Sequence, residues 1–272
     1  MTTQADKARQ FLALHQPGKP LLLPNPWDLG SARLLAAMGY AALATTSSGF
    51  AASLGREDGS VTREEAIVHA AVIVAATDLP VSADLEKAFA DEPAGVAETV
   101  RLAAEVGLAG CSVEDFTGNE DAPIYDTAQA TDRIRAAAEA AHAGPAPLVL
   151  TARAENYLHG RPDLADTIAR LQAFQEAGAD VLYAPGLRSI DDIRQVVREV
   201  DRPVNVLAFD GAPTVPELAE AGVSRVSVGG AFAFAALGAL VAAATELRDH
   251  GSYGYLALSG PGRTAARQAF RS

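Results

Sequence analysis

Three acidic residues carry the first chemical suggestion in this chain: Asp84 and Glu86 in the run LPVSADLE, and Glu114 in AGCSVED. Each run reads as a buried strand, and each carboxylate falls at or just past its C-terminal end. Carboxylate oxygens are the donors that Mg²⁺ or Mn²⁺ prefers. Zinc would call for histidine or cysteine, and no histidine falls at these strand ends. Arg153, closing the run LVLTAR, has the fork geometry to grip a carboxylate through two parallel N–H bonds. Thr45 to Gly49, small hydroxyl residues and a glycine, could turn backbone N–H groups toward an anion. Cys111 alternates onto the face opposite Ser112 and Glu114, which predicts a core thiol rather than a nucleophile.

These residues need a scaffold that gathers strand ends. Strands are expected at 20–25, 40–46, 79–84, 109–114, 147–153, 180–184, 202–208 and 224–229. Helices are expected at 28–38, 62–77, 94–106, 126–142, 163–177, 189–199, 214–221 and 231–249. Thr62 and Glu65 have capping-box spacing. Gly39, Gly107, Gly144, Gly178 and Gly222 stand where helices must end. Eight strand–helix pairs in one chain predict a (β/α)8 TIM-type barrel, whose active site lies at the C-terminal strand ends. An open doubly wound sheet is the alternative, and the first strand lacks the glycine fingerprint it would carry. The expectation is a single barrel domain over 1–272, with an N-terminal helix at 4–16. The extension at 252–271, broken by Gly-Pro-Gly, is expected to pack on the rim or on a neighbour.

The chain has 272 residues, a formal charge of −12 and 49% hydrophobic residues. Its acidity argues against nucleic acid or an anionic membrane as partner. One cysteine excludes a disulfide framework and a cysteine zinc site. The first residues lack the apolar core of a signal peptide, so a cytoplasmic enzyme is expected. The apolar run GGAFAFAALGALVAAATEL reads as a buried helix, part of it facing another subunit, rather than a membrane span.

The pattern of motifs resembles the isocitrate lyase/phosphoenolpyruvate mutase superfamily. Asn25-Pro-Trp-Asp-Leu-Gly-Ser-Ala32 resembles its N-x-W-D-x-x-S-A opening. The segment from Thr46 to Asp58 is similar to its T-S-G…S-L-G-x-x-D stretch. Asp84-Leu-Glu86, Glu114-Asp115 and Thr151-Ala-Arg-Ala-Glu155 resemble its D-x-D/E, E-D and T-A-R-x-D/E strand ends. The resemblance implies a barrel whose eighth helix is swapped between subunits, in a homodimer or homotetramer. It implies Mg²⁺ (or Mn²⁺) held through Asp84, Glu86 and Glu114, partly through waters. It implies a substrate carboxylate at Thr46 and Ser47 with Trp27 alongside, Asp58 touching substrate, Arg153 neutralising developing charge, and Asn205 completing the pocket. Asp58, Arg153 and Glu114 are the catalytic candidates.

The chain departs from that family in the loop after the fourth strand. Residues 116–125 read FTGNEDAPIY, without the K-[KR]-C-G-H of the lyases or the lysine of the phosphonate branch. Asp58, Glu155, Tyr125, a metal-bound water and His159 are then the candidates for proton transfer. The expected activity is Mg²⁺-dependent cleavage of a C–C bond in a small 2-hydroxy or 2-oxo di- or tricarboxylate through an enolate. The alternatives are a P–C bond mutase or hydrolase acting on phosphoenolpyruvate or phosphonopyruvate, and a non-catalytic dicarboxylate-binding barrel.

Overall fold

The structure, a computed structural model, describes residues 2–271. After helix α1 (Gln4–Ala13), eight short strands recur along the chain: β1 (Leu21–Leu23), β2 (Leu43–Ala44), β3 (Val81–Asp84), β4 (Gly110–Glu114), β5 (Val149–Arg153), β6 (Val181–Tyr183), β7 (Val204–Leu207) and β8 (Arg225–Ser227). All pair in parallel in the order β1-β8-β7-β6-β5-β4-β3-β2. The seam between β1 and β2 is bridged where Ala44 N–H donates to Pro24 O at 3.1 Å. The expected (β/α)8 barrel is thus present and nearly closed.

The helices that follow are α2 (Leu29–Ala37), α3 (Ser47–Ser53), α4 (Arg63–Ala75), α5 (Pro93–Glu105), α6 (Thr127–His142), α7 (Leu164–Glu176), α8 (Ile190–Glu199), α9 (Val215–Glu220), α10 (Ala231–His250) and α11 (Leu256–Ala269). Local chemistry starts several of them. Thr62 Oγ1 accepts from Glu65 N–H at 3.2 Å while Glu65 Oε2 accepts from Thr62 N–H at 2.9 Å, the reciprocal bond pair predicted for α4.

Alternation along the strands divides the core. Leu85, Cys111, Val113, Leu150 and Leu182 join the helix-facing shell, and Leu21, Leu23, Ala44, Val149 and Val181 fill the inner floor. Helix α1 plugs that floor with Phe11, which is fully buried. Gly110 is required here: a Cβ on it would lie 2.7 Å from Val149 O and 2.9 Å from the Phe11 ring. Cys111 packs in the outer shell as expected, and burial pushes its thiol up to about 12.

Three expectations need correction. The Thr45–Gly49 stretch is the start of a helix rather than a loop: Thr46 caps α3, its Oγ1 accepting from Gly49 N–H at 3.4 Å. Ser and Gly have weak helix propensity, and the tertiary fit against Trp27 and Ala233 overrides it. The C-terminal extension is helical through Pro261 and packs on α2, with Phe270 beside Gly30. Helix α10 is also not buried within the chain. It packs on α3 near its start and then exposes Phe234, Leu237, Leu240 and Val241. It is the one helix among the described residues long and apolar enough to cross a membrane, by length and composition.

Candidate active site

The C-terminal strand ends surround a cavity of about 210 Å³, small enough to suit a metabolite rather than a drug-sized ligand. Asn25, Thr46, Ser47, Asp58, Asp84, Arg153, Tyr183 and Asn205 line it.

Asp84 is the hub. Its Oδ2 accepts from Ser47 N–H at 3.3 Å and Ser47 Oγ at 3.2 Å, so α3 contributes its first N–H to a protein carboxylate. Its Oδ1 accepts from Arg153 Nη1 at 2.8 Å and from Glu86 N–H at 3.3 Å. Arg153 reaches three ways. Beyond Asp84, its Nη2 meets Glu114 Oε2 at 3.2 Å and its Nε donates to Glu155 Oε1 at 2.7 Å. Its guanidinium also lies 5.3 Å from the Tyr183 ring centre. Burial pulls the guanidinium down, but Glu155, Glu114 and Asp84 outweigh it and hold Arg153 well above its usual value.

The carboxylates behave in the opposite sense. Burial first, with Glu155, Asp84 and Glu86 adding repulsion that Arg153 only partly relieves, raises Glu114 well above the carboxylate range. Burial, then Asp84 and Asp58, push Glu86 up to about 8. Asp58 is exposed at the rim, yet its carboxyl faces the crowded wall, and that desolvation raises it against the Ser47 hydrogen bond.

Strand β3 stops at Asp84, and Glu86, Ala88 and Phe89 follow at φ of 51°, 60° and 54°. Asp84 and Glu86 therefore do not lie on one strand face. Left-handed non-glycine residues cost about 1–3 kcal/mol each and gather where surrounding structure enforces them. The turn sends Glu86 to a narrow crevice behind the cavity, lined also by Asp84, Ser47 and His69. Glu114 is likewise behind the lining, reached through Arg153. Trp27 is not part of the cavity wall: its carbonyl accepts from His69 Nε2 at 3.0 Å, and its Cβ lies near Gly49.

The other proton-transfer candidates are engaged elsewhere. Glu155 is spent on Arg153. Tyr125 OH donates to Asp91. His159 stacks on Phe116 with ring centres 3.8 Å apart. Asp115 binds outward, accepting from Glu155 N–H at 2.8 Å and pairing with Arg170 at 3.2 Å. Of the protein groups considered, Asp58 is the one that is both on the cavity and not bound to a cation.

Two buried arginines complete the site, and neither belongs to a motif or strand end singled out in the sequence. Arg133, on α6, is fully buried. It donates to Glu114 O at 3.0 Å and Ala90 O at 2.9 Å, and its guanidinium sits 4.2 Å from the Tyr125 ring centre. It braces the backbones that carry Glu86 and Glu114 from behind. Arg225, on β8, lines the cavity floor. The available signal was a charge inside an apolar stripe: Arg133 among Ala130, Ile134 and Ala137, and Arg225 between Val223 and Val226.

Among the described residues, no three His, Cys, Asp or Glu side chains already surround one point as metal ligands. The donor chemistry nevertheless fits a hard dication. Asp58, Asp84, Glu86, Glu114 and Glu155 gather about one guanidinium, and burial first, then repulsion among these acids, raises Asp58, Glu86 and Glu114. Oxygen donors of this kind suit an ion that keeps part of its water shell.

Known proteins place this architecture. The phosphoenolpyruvate phosphomutase family model matches residues 11–248. A solved structure described as a candidate lyase/mutase from Burkholderia cenocepacia J2315 is 55% identical, with a TM-score of 0.93 and 97% of this chain and 95% of that one covered. The 2-methylisocitrate lyase of Escherichia coli K12 is 30% identical over 78% of each chain. Oxaloacetate acetylhydrolase solved with its product oxalate is 25% identical, with a TM-score of 0.84 over 93% of this chain and 90% of that one. The chain belongs to the phosphoenolpyruvate phosphomutase family, within the isocitrate lyase/phosphoenolpyruvate mutase superfamily of enzymes.

Proposed function

We propose that the chain is a metal-dependent carbon–carbon lyase acting on a small 2-oxo or 2-hydroxy di- or tricarboxylate of the isocitrate, methylisocitrate or oxaloacetate type. The observation that carries this reading is Arg153, fixed at the cavity wall by ion pairs to the three carboxylates of Asp84, Glu114 and Glu155. Likeness to 2-methylisocitrate lyase and oxaloacetate acetylhydrolase supports the substrate class.

Asp84, Glu86 and Glu114 are the proposed holders of Mg²⁺ or Mn²⁺. Such an ion, when bound, would supply Lewis-acid stabilisation of negative charge on the substrate. Arg153 donates N–H to the oxygen where negative charge gathers as the C–C bond breaks, the position at which a prepaid electrostatic donor is most effective. Ser47 and Thr46 orient a substrate carboxylate. Asp58 accepts the proton released by the breaking 2-hydroxy acid, since desolvation of its carboxyl raises it above the ordinary aspartate value.

The family model itself names the second reading, phosphorus–carbon chemistry. Loop 116–125 contributes no lysine to hold a phosphonate, and the nearby Lys87 Nζ is committed to Asp91 at 2.7 Å and Thr117 O at 2.8 Å. The lyase reading is therefore preferred. NMR on mixtures of protein, Mg²⁺ and isocitrate, 2-methylisocitrate, oxaloacetate or phosphonopyruvate separates the two. Carbon fragments that vanish with EDTA support the lyase. Inorganic phosphate alone overturns it.

The exposed apolar face of α10 supports a second copy as the partner, in a homodimer or homotetramer that exchanges this helix. Light scattering that finds only monomer overturns that assembly. The proposed compartment is the cytoplasm.

A further inference from the structure

The cavity floor is built around a guanidinium that no protein carboxylate neutralises. Arg225 is 4% exposed. Its Nε donates to Asn205 Oδ1 at 2.9 Å, its Nη2 to Thr151 Oγ1 at 3.1 Å, and its Nη1 meets His15 Nε2 at 3.2 Å. His15 Nδ1 lies 2.8 Å from Phe11 O, which assigns the ring proton to Nδ1 and leaves Nε2 as acceptor. All three partners are neutral. The ionisable neighbours of Arg225 are Tyr183, whose phenol burial raises further so that it is uncharged at neutral pH, and Arg153, which lowers Arg225; among the described residues no acid pairs with it. Burial brings it down to about 10, so it remains a cation at neutral pH.

A buried charge without a counter-charge is costly, and proteins rarely keep one. This one is held in place by hydrogen bonds to neutral groups from the turn just after α1, from β5 and from β7. Those bonds use three of the five N–H donors a guanidinium carries and leave one on each terminal nitrogen. Arg225 also lines the cavity beside Asn205 and Ser227. Its position is fixed while its charge stays available to whatever enters.

We propose that Arg225 is a second anion seat, receiving a carboxylate at the deep end of the substrate while Ser47 and Arg153 serve the end at the mouth. The site then selects acids with two separated carboxylates over monoacids of equal length. This rests on the lyase reading and adds to it the determinant of substrate charge.

The test uses succinate and butyrate, matched in chain length and differing by one carboxylate, with oxalate as a probe of the mouth alone. Binding is measured by calorimetry with Mg²⁺ present. Wild type should favour succinate over butyrate by about tenfold or more, the value of one charged hydrogen-bonded contact. Arg225→Gln should remove that preference and leave oxalate within about twofold, on the same scale. Asn205→Asp guards against misfolding of the first variant. It supplies a near-isosteric counter-charge to Arg225, should keep or raise the unfolding midpoint, and should abolish the succinate preference as well. A folded variant that binds succinate like wild type overturns the seat. Equal loss of succinate and oxalate overturns it too, because Arg225 is then only a brace. Failure of wild type to bind oxalate removes the lyase reading itself, and the seat falls with it.

Discussion

Arg153, half-buried, and Arg225, buried, face one cavity, and only Arg153 is matched by acids. Three carboxylates surround Arg153, whereas Asn205, Thr151 and His15 surround Arg225. At the mouth the protein supplies more negative charge than one guanidinium cancels, an arrangement suited to a dication. At the floor it supplies a positive charge and withholds the counter-ion, an arrangement suited to an anion. The same residue type thus serves opposite electrostatic ends, and the partners decide which.

The largest effect should come from breaking the mouth. Arg153→Met leaves Asp84, Glu114 and Glu155 without their shared cation and should lower kcat by about 10³-fold or more. Steady-state kinetics on the turned-over acid checks this, and a loss below tenfold would mean that Arg153 holds structure rather than charge. The next effect should be on the brace behind the mouth. Arg133→Met strips the donors from the carbonyls of Glu114 and Ala90 and should cost about 3 kcal/mol, read from urea unfolding. An unchanged midpoint would show that the mouth needs no support from α6.

The smallest effect sharpens the floor. Burial, then Arg225, depress His15 to about 3. The unfolded chain binds a proton here near pH 6.5 while the folded chain refuses it, so this contribution to stability is complete above about 6.5 and drains away as pH falls toward 3. His15→Gln should flatten the stability profile in that window by up to one proton, about 1.4 kcal/mol per pH unit. Urea midpoints between pH 4.5 and 7.5 test the slope, and parallel profiles for the two proteins would place His15 outside this linkage.

Alternating apolar strands and helical stripes, closed by glycines and the Thr62–Glu65 cap, were enough to read all eight β/α units from the sequence. Strand ends then marked Asp84, Glu114 and Arg153, because a parallel barrel brings every such end to one rim. The pattern also marked Cys111 as a core thiol. Other features depended on distances that sequence spacing does not contain. Helix α3 forms from poor helix formers because Gly49 fits against Trp27 and Ala233. Glu86 leaves the strand alternation because the chain turns left-handed there. Arg225 joins groups from positions 15, 151 and 205, far apart along the chain and brought together only when the barrel closes over α1. Local pattern determined which residues point inward, since side-chain direction follows backbone period. Only the tertiary structure decided which buried charge meets which partner, since Coulomb and hydrogen-bond energies depend on separation in space.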